Sequence, residues 1–341
     1  YDIYLKANYS ERDIPRLILE KNLYGLDIDD RAGQLAAFAL MMKARSKNRR
    51  IFRRKIELNV CSIQESNGIP KEVLEYLISP KHTELEKYIQ KEDIEYLIEV
   101  FHDAKEYGSI LDVKKIDFDT IERRIEEIRD GKTADLFEYQ YRDIILEKVL
   151  PLIKQGRIMS QKFDVVSTNP PYMGNRGMSA KLSDYVKSNF PYTKSDLSTV
   201  FMEKTLDYCK SKGNMAMINI PVWMFISSYQ NLRENLVKTK TIINMLHLGR
   251  GVFGSDFGTT AFIIKNVDVK NYDATYLKLH DKQGEVDSLE TKEKLFFQKY
   301  GLHLMKKENY LMIDGTPIAY WITNKMGMVF KNEISLESIS T

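Results

Sequence analysis

Apolar and polar positions along the 341-residue chain switch between two periods, one close to 2 and one close to 3.6, and the switches predict strands and helices. Residues 12–22 read as the end of a helix, and residues 22–29 as a short apolar strand that ends in acids. A helix follows at once. Asp29 or Asp30 can cap it, and Leu35, Phe38, Ala39 and Met42 recur at helical spacing ahead of a basic run over 43–54. Residues 56–63 form a second strand, and strand, helix, strand is the unit of a parallel α/β sheet with helices on both faces.

Residues 68–156 break this rhythm with charged segments of helical period. Helices are predicted over 70–79, 83–107, 117–130 and 133–155, with Asp117 and Thr133 as caps and Gly131 and Gly156 as stops. This is a large helical insertion between two strands of the sheet, either a solvated structural bundle or a surface for DNA or a partner. A strand then runs over 163–168, a polar stretch suited to a mobile loop over 173–195, and an amphipathic helix over 197–211 with Phe201, Leu206 and Cys209 inward. Residues 213–221 read as a buried strand, 230–240 as a helix, 241–248 as a strand and Thr259–Lys265 as the closing strand. No internal repeat or low-complexity tract appears.

Composition narrows the class only a little. With 51 Lys and Arg against 48 Asp and Glu, the net charge of +3 is compatible with DNA and does not demand it. Cys61 and Cys209 are the only cysteines, which fits neither a disulfide framework nor a cysteine-rich zinc site and suits a reducing cytoplasm. The five histidines show no metal-ligand spacing, so no metal is expected. No apolar run reaches the ~20 residues of a membrane span, and the start lacks a secretion-signal pattern. The first residue is Tyr rather than Met, which suggests a chain cut from a longer protein.

The strand over 163–168 runs straight into Asn169-Pro170-Pro171-Tyr172, a combination expected by chance in about one chain in a thousand of this length. It points to methylation of an exocyclic amino group, whose nitrogen is a weak nucleophile because its lone pair is delocalised into the ring. The Asn169 side-chain oxygen and the Pro170 carbonyl are acceptors for the two amino hydrogens, a pairing that localises the lone pair toward a methyl donor. Pro170 and Pro171 stiffen the turn and remove N–H donors, while Tyr172 offers a face on which an extruded base can stack.

A second constellation sits near the start of the chain. In sheets of this class an acid at the carboxyl end of the second strand accepts from both ribose hydroxyls of a nucleotide-like cofactor. Asp27 is the candidate, with Ile28 against the adenine ring and Gln64 or Glu65 at its polar edge; a simple turn or cap carboxylate remains the alternative for Asp27.

Taken in order over about residues 12–265, these segments resemble the amino-methylating S-adenosylmethionine-dependent DNA methyltransferases, and most of all the large adenine methyltransferases of phage-defence systems, the BREX or phage-growth-limitation type, which also resemble fused restriction-modification enzymes. Three strings carry the resemblance: residues 23–32 with Gln34-Leu35-Ala36, residues 167–174, and Gly315-Thr316-Pro317-Ile318-Ala319-Tyr320-Trp321. It implies a Rossmann-like methyltransferase sheet, mostly parallel, S-adenosyl-L-methionine as cofactor, double-stranded DNA and other defence-system subunits as partners, and a cytoplasmic location. Asn169, Pro170, Pro171 and Tyr172 would hold a flipped adenine, Phe253 resembles a second aromatic on the base with Phe257 as its near rival, and Asp196 and Leu197 resemble the segment that flanks the cofactor.

The resemblance also implies a glycine-rich loop on a strand before residue 1, and neither 174–177 nor 249–251 stands in for it. An internal fragment is therefore expected: residues 1–67 as the first, cofactor half of a methyltransferase domain without its first strand, 68–156 as the insertion, 157–268 as the catalytic part, and 269–341 as the start of a target-recognition or linker region. The rival expectations are an amino methyltransferase acting on protein glutamine or RNA guanine, and a catalytically silent binding fragment.

Overall fold

In each of the chain's two compact units, Tyr1–Gln161 and Lys162–Thr341, an aspartate side chain starts a helix, Asp29 in the first and Asp196 in the second. A computed structural model describes residues 1–79, 89–131, 135–253, 257–280 and 286–332.

In the first unit, β1 (Tyr24–Asp27) pairs in parallel with β2 (Asn59–Ser62), with Tyr24 opposite Asn59 and Asp27 opposite Ser62. The crossover between them is α1 (Asp30–Lys47), which begins where Asp29 Oδ1 accepts the N–H groups of Arg31 at 2.7 Å and Ala32 at 3.0 Å. Its buried face is not the stripe of Leu35, Phe38, Ala39 and Met42, which is exposed, Leu35 to 67% and Phe38 to 62%. Gly33 and Ala44 are buried instead, because the helix lies so close to β2 that a Cβ at Gly33 would stand 2.3 Å from Ser62 Oγ.

The described residues between β2 and Gln161 are largely helical: α2 (Lys71–Ile78), α3 (Lys91–Val100), α4 (Phe118–Asp130), α5 (Leu136–Ile144) and α6 (Leu150–Met159). Asp117 caps α4 through Thr120 N–H at 3.2 Å, and Gly131 follows its last residue. The helix expected over 83–107 starts at Lys91 and breaks after Val100, its residues 83–88 lying outside the described residues. Thr133 also lies outside them, and the cap of α5 is Asp135. Gly156 stops nothing. It lies inside α6, where a Cβ would meet Phe118 Cε1 at 3.1 Å and Leu97 Cδ2 at 3.3 Å, so the glycine serves close helix packing. A π turn over Ile145–Val149 joins α5 to α6 and carries the helix past Pro151, which lacks an N–H and crowds the preceding turn.

In the second unit six strands lie in the order β3-β4-β6-β5-β7-β8: β3 (Phe163–Thr168), β4 (Cys209–Asn219), β5 (Thr241–Gly249), β6 (Thr259–Lys265), β7 (Asp273–Lys278) and β8 (Leu302–Lys306). β3 with β4 and β5 with β7 are parallel, while β6 is antiparallel to both its neighbours, so four of the six strands run one way and only β6 and β8 oppose them. This mixed α/β sheet is the mostly parallel one that the sequence predicts. Three details differ. The polar stretch over 173–195 holds a helix, α7 (Ala180–Asn189), whose Leu182 and Val186 are buried one turn apart below the Ser179 cap. The next helix, α8 (Leu197–Tyr208), ends early because Cys209 already pairs with Phe163. Thr259–Lys265 does not close the sheet but lies inside it, and β7 and β8 extend the far edge.

Met215, Met217, Met245, Phe262, Ile264 and Tyr276 form the core of this sheet with Trp223 and with Leu232 and Leu236 of α9 (Gln230–Thr239). The Gly315-to-Trp321 string is tied to it by the buried Arg233, whose guanidinium donates to the carbonyls of Gly315, Trp223 and Ile226 at 2.6–3.0 Å. Tyr320 stacks on Tyr276 at 4.8 Å and 4°.

Candidate active site

The carboxyl end of β3 delivers Asn169 to the surface, with Pro170 buried behind it and Pro171 exposed. The Tyr172 hydroxyl donates to Asn169 Oδ1 at 2.8 Å and also lies 3.3 Å from the Ile218 carbonyl of β4. The Tyr172 ring meets Phe257 edge-on, with centroids 5.5 Å apart and planes at 85°. Burial raises the pKa of Tyr172, so its hydroxyl stays a protonated donor across the physiological range. The parallel pairing of β3 with β4 sets Thr168 opposite Met217, which is why one tyrosine reaches both an Asn on one strand end and a carbonyl on the next.

Asp196 and Leu197 hold the same turn from behind. Asp196 is buried and caps α8, its Oδ1 accepting Ser198 N–H at 2.8 Å and the Ser198 hydroxyl at 2.6 Å. Gly174 forms an isolated antiparallel bridge with Asp196, and Leu197 N–H donates to the Met173 carbonyl at 2.8 Å. The residues that follow Tyr172 are thus tied to the first turn of α8. Phe253 is half exposed and enters none of the ring contacts among the described residues; the ring beside Tyr172 is Phe257. Sequence reasoning gave Phe257 only as a rival to Phe253, and had no signal for the Ile218 carbonyl, a backbone group that any residue would supply.

The other candidates lie in the first unit. Asp27 ends β1 exposed, one carboxylate oxygen accepting Asp29 N–H at 2.9 Å, so the turn role is real; the second oxygen has no partner among the described residues. Ile28 is half exposed. Gln64 is held at its backbone on both sides by the buried Gln155, whose side chain accepts Gln64 N–H at 2.7 Å and donates to the Gln64 carbonyl at 2.9 Å. The side-chain nitrogen of Gln64 donates to Asp30 Oδ1 at 2.6 Å, and that bond, after the one from Lys105, lowers the Asp30 pKa. Glu65, the alternative to Gln64, accepts Lys105 N–H at 3.1 Å. The structure therefore gathers Asp27, Ile28 and Gln64 at strand ends in one unit, and Asn169, Pro170, Pro171, Tyr172, Asp196 and Leu197 at one sheet edge of the other.

Among the described residues, no three His, Cys, Asp or Glu side chains gather where they could hold a metal ion, and no helix is long and apolar enough to cross a membrane. Compared with known proteins, residues 21–253 match the model of the Eco57I restriction-modification methylase family. The chain is similar to the adenine-specific methyltransferase BrxX of Escherichia coli O9:H4 (strain HS), at 36% identity over 94% of this chain and 28% of that protein. It is also similar to the adenine-specific methyltransferase PglX of Lacticaseibacillus casei (strain Zhang), at 34% identity over 95% of this chain and 27% of that protein. The chain thus spans between a quarter and a third of the length of these relatives. Among solved structures, the ATP-dependent Type ISP restriction-modification enzyme LlaBIII bound to DNA superposes with a TM-score of 0.47 at 13% identity, over 89% of this chain and 18% of that one.

Proposed function

The chain belongs to the Eco57I restriction-modification methylase family, and from that premise we propose that it carries the catalytic region of a site-specific adenine-N6 DNA methyltransferase of a restriction-modification or phage-defence system. The observation that carries this reading is the end of β3, where Asn169 Oδ1 stands exposed beside the Tyr172 ring on a proline-stiffened turn. Asn169 Oδ1 and the Pro170 carbonyl accept the two hydrogens of a flipped adenine's amino group, and Tyr172 is the platform on which the base stacks. Phe253 is assigned as a further aromatic on the base.

S-adenosyl-L-methionine, when bound, supplies a methyl group on a sulfonium. The residues fit such a group: the unpartnered oxygen of Asp27 suits ribose hydroxyls, Ile28 offers an exposed apolar face, and Gln64 keeps a carbonyl oxygen for an amino edge. Asp196 and Leu197 fix the turn next to the motif and flank the cofactor in this reading. Residues 1–67 then serve the cofactor, 68–156 are an insertion, 157–268 hold the catalytic part, and 269–341 lead toward target recognition or a linker. Double-stranded DNA is the partner, other defence-system subunits join it, and the cytoplasm is the location.

Tyr172→Ala and Asn169→Ala test the reading. Each is expected to lower N6-methyladenine formation at least about 100-fold, the scale on which losing one group that polarises a reacting centre is felt. Mass spectrometry of digested DNA, RNA and protein substrates reads the product. Full activity in both variants, or a methylated glutamine or guanine in place of adenine, would sink it.

A further inference from the structure

We infer that the Tyr172 hydroxyl is a positioning group for the Asn169 carboxamide, held in place by Phe257, and that it hands over from Asn169 Oδ1 to the Ile218 carbonyl when the substrate's amino group arrives. This rests on the amino-methylation reading above and adds to it a role separate from base stacking.

A phenol has one hydrogen to donate, yet two acceptors lie in its reach: Asn169 Oδ1 at 2.8 Å and the Ile218 carbonyl at 3.3 Å. The shorter bond holds it at rest. That bond favours the carboxamide with its oxygen toward Tyr172, because a reversed amide would make the phenol oxygen the acceptor and leave its hydrogen only the longer contact to the Ile218 carbonyl at 3.3 Å. A reversed Asn169 would likewise point donors at the amino group it has to accept from, so the hydroxyl keeps an exposed, freely rotating amide in the productive orientation. The cost of that help is an acceptor partly engaged before the base binds. Ile218 removes the conflict. Rotation about the phenolic C–O bond turns the hydrogen to the Ile218 carbonyl without moving the ring, so Asn169 Oδ1 is released at full strength and the part-buried hydroxyl keeps a partner. Such a hand-over needs the ring to stay within reach of both acceptors. Phe257, whose ring lies 5.5 Å from that of Tyr172 at 85°, supplies that constraint.

The two readings fail in different ways. If the unaltered protein forms no N6-methyladenine, the functional reading fails before any variant is made. If it does, Tyr172→Phe keeps the platform and removes only the hydroxyl. Its kcat is expected to fall about 10-fold, while KM for DNA and the fluorescence signal of 2-aminopurine at the target position stay within about twofold. Phe257→Leu should lower kcat several-fold with the hydroxyl still present, and Phe257→Tyr, which restores a ring edge, should recover it. Unchanged kcat in Tyr172→Phe overturns the inference. A loss carried entirely by KM and base binding overturns it as well, since the hydroxyl would then be a binding group.

Discussion

The carboxyl end of β1 and the carboxyl end of β3 both collect polar side chains, but they spend them differently. After β1, Asp29 is committed to two amides of α1, Asp30 to Lys105 and Gln64, and one oxygen of Asp27 to the turn. After β3, Asn169 Oδ1 has a single hydroxyl that can be satisfied elsewhere. Backbone amides cannot turn away, and a hydroxyl can. A group bonded to its own turn's amides is thus part of the fold, whereas one bonded to a rotor is available to a ligand. By that criterion Asp27 is a mixed case, half turn and half free, and experiments on it bear hardest on the comparison.

The largest effect is expected from Asp27→Ala in calorimetric titration with S-adenosylmethionine. Losing two charge-assisted hydrogen bonds to a ribose should weaken binding about 100-fold, roughly 2.7 kcal/mol. Asn169→Ala should leave the cofactor affinity within about twofold, since Asn169 serves the base in this reading. Equal affinity in the Asp27 variant would return Asp27 to the turn alone and erase its distinction from Asp29.

A smaller effect separates the two units by pH. In the second unit, burial, with help from His280, Lys278 and Lys292, pushes His247 down to about 4, and its Nδ1 lies 3.0 Å from the Tyr320 hydroxyl. Between pH 6.5 and about 4 the unfolded chain takes up a proton that folded His247 refuses. Stability of this unit should therefore fall with pH across that window, with a slope of up to about 1.4 kcal/mol per pH unit in urea unfolding. His303, edge-on to Tyr320 and also lowered by burial, acts in the same direction. In the first unit, Asp30 is lowered by Lys105 and Gln64, so its contribution is present above its ordinary value of 3.8 and is lost only as pH falls below that. His247→Gln should flatten the upper window; a slope that survives it would assign the window to another group.

Local chemistry made much of this legible. Asp29 and Asp117 cap helices through side chains two or three residues from the amides they serve, and β6 runs over the very residues of its β-branched run. Asn169 to Tyr172 could be read because the proline pair leaves little conformational choice. What was not legible depends on partners far along the chain. Gly156 looks like a stop until Phe118 and Leu97 are packed on it, and the apolar stripe of α1 looks like a core face until Gly33 is found against β2. The sequence puts Phe253 ahead of its rival Phe257, and only in the structure does the ring beside Tyr172 turn out to be Phe257. The helix over Ala180–Asn189 was hidden because two buried residues in ten give a weak period.

The smallest expected effect is the sharpest check on the comparison. Asp29 Oδ1 takes two amides at 2.7 and 3.0 Å, so Asp29→Ala should cost the first unit about 1 kcal/mol, the usual value of an N-cap. Asp29→Asn should restore nearly all of it, because an amide oxygen caps as well as a carboxylate and the charge is not what the helix needs. Neither change should alter cofactor affinity beyond what the stability loss explains. Two aspartates two residues apart would then answer differently to the same truncation, Asp27 through binding and Asp29 through folding. If Asp29→Asn instead weakened S-adenosylmethionine binding as Asp27→Ala does, the negative charge of the whole turn, rather than one free oxygen, would be what the cofactor meets.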